Sequence, residues 1–157
     1  AGGLEAGWAL PLGSRFAIDV GGTYNPGAAR MTTGTTDTVA VNTSVDVTFE
    51  VKDFVTFYVA PTVGLSDTSA IYLKWGHSEA NTKTVGDYTS PGDLSGNTYA
   101  IGTKSTFASG LYLRSEAGMT EYDRIEVKGQ GNGIPTTTSA SAEPTIAYGA
   151  VTIGFQF

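Results

Sequence analysis

From Thr38 to Leu65 the chain reads "TVAVNTSVDVTFEVKDFVTFYVAPTVGL" and alternates in period two. The odd positions are Val39, Val41, Thr43, Val45, Val47, Phe49, Val51, Val55, Phe57, Val59, Pro61, Val63 and Leu65, and only Asp53 breaks the row. The even positions include Asn42, Ser44, Asp46, Thr48, Glu50 and Lys52. A helix would scatter these apolar residues around its circumference, whereas a strand places them on one face.

Other segments follow the same rule. Leu4, Ala6, Trp8 and Leu10 oppose Glu5, Gly7 and Ala9. Phe16, Ile18, Val20 and Tyr24 oppose Arg15, Ala17, Asp19 and Thr23. Ile71, Leu73 and Trp75 oppose Tyr72, Lys74 and Gly76. Tyr99, Ile101 and Phe107 oppose Ala100, Gly102 and Lys104. Leu111, Leu113, Ala117 and Met119 oppose Arg114, Glu116, Gly118 and Thr120. The last stretch, "TIAYGAVTIGFQF", sets Val151, Ile153, Phe155 and Phe157 against Thr152, Gly154 and Gln156. No helix-period window appears, so the chain is read as all-β. Connections alternate between short turns ("PLGS", "SDTS", "ASG") and long polar stretches at 26–38, 83–97 and 128–144.

Periodicity alone does not say which face is inside. The polar face decides it. That face mixes Gly, Ala, Ser and Thr with lone mid-strand charges: Glu5, Arg15, Asp19, Asp46, Glu50, Lys52, Lys74, Lys104, Arg114 and Glu116. These are five acids and five bases, in a chain whose net charge is -6. A solvated face has no reason to balance its charges or to favour small side chains. A narrow lumen has both reasons, because buried ions must pair and a small barrel leaves little room. The expected fold is therefore an antiparallel up-and-down transmembrane β-barrel with a polar, plugged lumen, forming one domain over residues 1–157. Aromatics toward strand ends, at Trp8, Tyr24, Trp75, Tyr99, Phe107 and Tyr122, fit an interfacial girdle.

Strands at 4–10, 15–25, 45–65, 70–81, 98–107, 111–125 and 145–157 number seven, and bacterial single-chain barrels are normally even. Eight strands result if a hairpin at Lys52, Asp53 and Phe54 splits the long stretch. The other repair supposes a first strand missing from this chain, or an open or inter-chain closure.

The final strand "AYGAVTIGFQF" with Phe157, and the strands "SGLYLRSEAGMTEY" and "TSAIYLKWGHSE" after short turns, resemble the small bacterial outer-membrane β-barrels of the OmpA/OmpX type. The resemblance implies an eight-stranded, porin-like barrel in the outer membrane of a Gram-negative cell. Its partners would be membrane lipid and lipopolysaccharide, with the barrel-assembly machinery during insertion and an unknown partner at the extracellular loops. It also implies that Phe157, with Phe155, Ile153, Val151 and Tyr148, is the signal for assembly. The absence of an opening signal peptide would then mark a mature chain.

Candidate chemistry is sparse. The chain has no cysteine and one histidine, which excludes thiolate sites and leaves only oxygen ligands for a metal. No cofactor is expected. The run His77, Ser78, Glu79 places neighbours on opposite faces of a strand, a poor start for a nucleophile and its base. Lipid A deacylases, which are small outer-membrane barrels, pair a His and a Ser two apart, and this sequence departs from that spacing. The expectation is not an enzyme. "GQGNG" lacks the strand–helix context of a dinucleotide site. The acidic balance argues against nucleic acid. Arg30, Lys83, Arg124 and Lys128 fall near the presumed outer rim, within reach of lipopolysaccharide phosphates. The leading functional expectation is a structural, surface-exposed outer-membrane protein presenting loops. The alternatives are a narrow channel for ions or small solutes, a lipid A-modifying enzyme, or a soluble lipocalin-like ligand binder.

Overall fold

The structure, a computed structural model, describes residues 3–33, 47–84, 89, 92–129 and 139–155. It is all-β. Nine strands are described: β1 (Leu4–Pro11), β2 (Phe16–Thr33), β3 (Val47–Gly64), β4 (Ser69–Thr84), β5 (Leu94–Thr106), β6 (Leu111–Tyr122), β7 (Ile125–Lys128), β8 (Ser139–Ala142) and β9 (Thr145–Phe155). Seven form one sheet in the order β1-β2-β3-β4-β5-β6-β9, and β7 pairs with β8 alone. Every neighbouring pair is antiparallel. The large sheet curls into a half-barrel.

Tight turns gather at one end. Leu12 N–H donates to the Phe16 carbonyl (2.8 Å), Leu65 N–H to Ser69 (2.8 Å), and Gly110 N–H to Phe107 (2.9 Å). Gly110 sits at φ 82°, a left-handed conformation that suits glycine. The long connections leave from the opposite end, where β7 and β8 also lie.

The split at Lys52–Phe54 does not occur. β3 runs through it as one strand, carrying a bulge. Lys52 pairs with Asn81 and Val55 with Glu79, so β3 holds one extra residue there. β2 shifts opposite the same point, between Asn25 and Ala28. Asp53 takes φ 56°, the left-handed value that lets the backbone absorb the extra residue. The long period-two row therefore hides a change of face. Between Thr56 and Thr62 the even residues point inward. On the other side of the bulge Val51 does, fully buried.

Inward rows alternate large and small side chains, which fills a narrow interior without collision. Tyr58 lies between Gly21 and Gly76, Tyr72 beside Gly102, and Tyr148 beside Gly118. A Cβ on Gly21 would come within 2.7 Å of the Tyr58 hydroxyl. At the loop end the interior turns apolar: Val51, Ala80, Leu94, Tyr122 and Ile125 form a buried cluster, with Phe54 and Ile146 packed on it.

Candidate functional site

The outer face of the sheet is apolar over much of its area. One hydrogen-bonded row crosses all seven strands: Trp8, Val20, Val59, Trp75, Tyr99, Met119 and Ala147. Toward the tight turns the outward residues include Ile71, Leu73, Ile101, Ala117, Leu113, Val151, Ile153 and Phe155, with Ser69, Thr103, Ser105 and Ser115 as polar members and no charge. Two residues further toward the loops, the next row is polar on β4, β5, β6 and β9, at His77, Asn97, Glu121 and Thr145, and continues through Phe57, Gly22 and Ala6 on β3, β2 and β1. Among the described residues nineteen large hydrophobics are exposed, against nine hydrophobics buried in the core.

The inner face carries the ions. Glu116 accepts from Lys74 (2.5 Å), from the Tyr72 hydroxyl (2.8 Å) and from the Tyr148 hydroxyl (2.8 Å). Arg114 pairs with Glu5 and also donates to the Tyr58 hydroxyl (3.2 Å). Tyr58 in turn donates to Glu5 (2.7 Å). Lys74 lies over the Tyr58 ring (4.4 Å) and Arg114 over Tyr72 (4.2 Å). The side chains of Lys74, Arg114, Glu116 and Glu5 are each 10% exposed or less. Charge-assisted hydrogen bonds in such surroundings are strong, and the aromatic faces add cation–π attraction. Toward the loops the ions give way to hydroxyls: Ser78 bonds to Thr56 (2.6 Å) and Thr98 (2.5 Å), and Thr98 to Thr120 (2.7 Å). Beyond these comes the apolar cluster. Toward the turns, Asp19 accepts from Thr62 (3.3 Å), and a cavity of about 420 Å³ opens past Arg15 and Lys104.

Of the ten residues expected in a lumen network, the structure brings Glu5, Lys74, Arg114 and Glu116 together and turns Asp19 and Lys104 to the same face. Lys104 lies over Tyr112 (5.1 Å). Arg15 is exposed at the turn end. Glu50 and Lys52 are corrections: the Asp53 bulge puts them opposite Lys83 and Asn81, on the outer face. Lys74 pairs with Glu116, and Arg114 pairs chiefly with Glu5. Asp46 lies outside the described residues. Trp8, Tyr24, Trp75, Tyr99 and Phe107 are exposed, but Tyr122, expected in the girdle, is 5% exposed inside the apolar cluster. Val151, Ile153 and Phe155 face outward on β9, whereas Tyr148 faces inward to Glu116, so it does not share their surface. Phe157 lies outside the described residues. His77 points outward to Ser95 (3.2 Å) and Ser78 is buried inside, so the two do not form a pair.

The interior tyrosines were missed from sequence as network members. Their signal was the glycine beside each in register, which only strand pairing reveals. The apolar cluster was missed because the parity change at Asp53 is silent in the sequence. No protein-family model matches the chain, and neither a curated protein nor a solved structure matches it.

Proposed function

We propose that the chain is an outer-membrane β-barrel protein that holds polar connections at a bacterial surface. Its sheet would close as an eight-stranded barrel with an interior filled by side chains. The observation that carries this reading is the reversed polarity: a charge-free apolar outer belt around an ion-paired interior. In water such a belt would be an exposed apolar surface beyond what soluble monomers carry. In a bilayer it meets hydrocarbon. From Ala147 to Phe155 the strand advances about 26 Å, or about 20 Å across a membrane at a barrel's tilt. On β4, β5, β6 and β9 the polar residues His77, Asn97, Glu121 and Thr145 would then lie at one interface. Short turns at one end and long connections at the other support the same orientation. Lipid, lipopolysaccharide and the insertion machinery are the partners this reading names.

The test is partition of the purified protein between detergent-rich and aqueous phases. The protein should enter the detergent phase. Ile101→Arg, a charge in mid-belt, should reduce folding into vesicles by about 2–4 kcal/mol. A folded monomer that stays in the aqueous phase would defeat the proposal.

A further inference from the structure

The two edge strands of the half-barrel are β1 and β9, and neither edge is paired among the described residues. Six successive antiparallel steps separate them, so β1 and β9 run in the same direction. Joined directly, they would make one parallel pair in an otherwise antiparallel sheet. One strand between them, running the other way, pairs with both edges antiparallel. The gap is narrow, because Glu5 on β1 reaches Arg114 on β6 across the interior.

Burial points to the same missing element. In mid-sheet, the inward residues Tyr72, Lys74, Gly76, Ser78 and Ala80 of β4 are all buried. At the edges, the inward Gly7 and Ala9 of β1 and Ala150 of β9 are exposed. These edge residues are small, so they leave room for larger inward side chains from a neighbour. The outward flanks, Trp8 and Leu10 on one side and Val151 and Ile153 on the other, are apolar.

We propose that this slot receives one further β-strand of the same polypeptide, lying outside the nine described strands and antiparallel to both β1 and β9. It presents apolar side chains outward and polar ones inward over roughly 8–11 residues, the span of its neighbours. The inference rests on the membrane reading, because unpaired backbone N–H and C=O groups facing hydrocarbon are costly and an edge there must be paired. A second copy fits poorly. Among the described strands of the large sheet its free edges are β1 and β9, and with the same orientation in the membrane either would arrive parallel. The same polypeptide fits well. Neighbours in the large sheet follow chain order, and a strand in the slot would start beside the end of β9 and finish beside the start of β1.

The test uses the intact protein in detergent micelles, where the absence of native cysteine makes cross-linking clean. Cysteine pairs are placed at Ala6, Trp8 or Leu10 on β1 and at Gly149, Val151 or Ile153 on β9, then oxidised. One intervening strand holds the edges about 9–10 Å apart, beyond the roughly 7 Å limit for a disulfide, so no intramolecular cross-link is expected. Backbone amides of β1 and β9 should exchange on the order of a hundredfold more slowly than those of the 107–110 turn. A ready β1–β9 disulfide would show direct closure and overturn the proposal. So would edge amides that exchange as fast as the turn, which mean an empty slot. Intermolecular cross-links with protected edges would assign the slot to a second copy and overturn it too. Detergent partition of the same sample reports separately on the membrane reading.

Discussion

Arg114 shows what a single buried charge demands. Its guanidinium is held by Glu5, the Tyr58 hydroxyl and the Tyr72 ring, while Nη2 finds no hydrogen-bond partner among the described residues and lies 4.0 Å from Glu116. Removing one member of a buried pair strands the other, so the cost exceeds what the pair itself contributes. Arg114→Ala should destabilise the folded protein by about 3–5 kcal/mol, measured by urea unfolding from lipid vesicles. Arg114→Met combined with Glu5→Gln should recover most of that loss, because no unpaired ion is left. If the double variant is as unstable as the single, the cost lies in packing and not in charge. The inward placement of these ions was legible from the small residues that alternate with them. Their partners were not, since Glu5 and Arg114 are 109 positions apart and meet only when the sheet curls.

At the scale of a strand, β3 carries the most information. Its period-two row predicted a strand correctly but gave the wrong face for Glu50 and Lys52, because one inserted residue exchanges the faces of everything beyond it. Asp53 holds that insertion at a positive φ, with weak support from Tyr24 (3.3 Å) and Asn81 (3.4 Å). Left-handed backbone costs a non-glycine residue about 1–2 kcal/mol. Asp53→Gly should therefore be neutral or stabilising, while deletion of Asp53 should turn Val51 outward and Lys52 inward and abolish folding into vesicles. If the deletion folds normally, the bulge does not set the face. The apolar cluster beyond it depends on Leu94, which is fully buried, and Leu94→Ala should cost about 2–5 kcal/mol in the same assay.

For the whole molecule the ordering of layers matters more than any one contact. From the turn end inward the interior passes from an open mouth to paired ions, then to linked hydroxyls, then to an apolar cluster. An ion crossing it would have to displace each layer in turn, so planar bilayers containing the protein should show no steady openings. Sustained large conductance would mean that the interior is not filled as described. The all-β class, the turn and loop asymmetry and the outward belt were legible because each rests on local alternation. What covers the two edges of the sheet was not, because pairing between strands far apart in the chain leaves no local pattern.

The change of face at Asp53 also sets a rule for how this chain could vary. At position 59 a lysine would break the charge-free belt beside Trp75, while at 50 and 52 it would lie beside Lys83 and Asn81 on the polar part of the outer face. At position 51 a valine is needed where its neighbours at 50 and 52 tolerate charge. Two grammars of substitution thus meet on one uninterrupted strand, and the junction between them is a single aspartate.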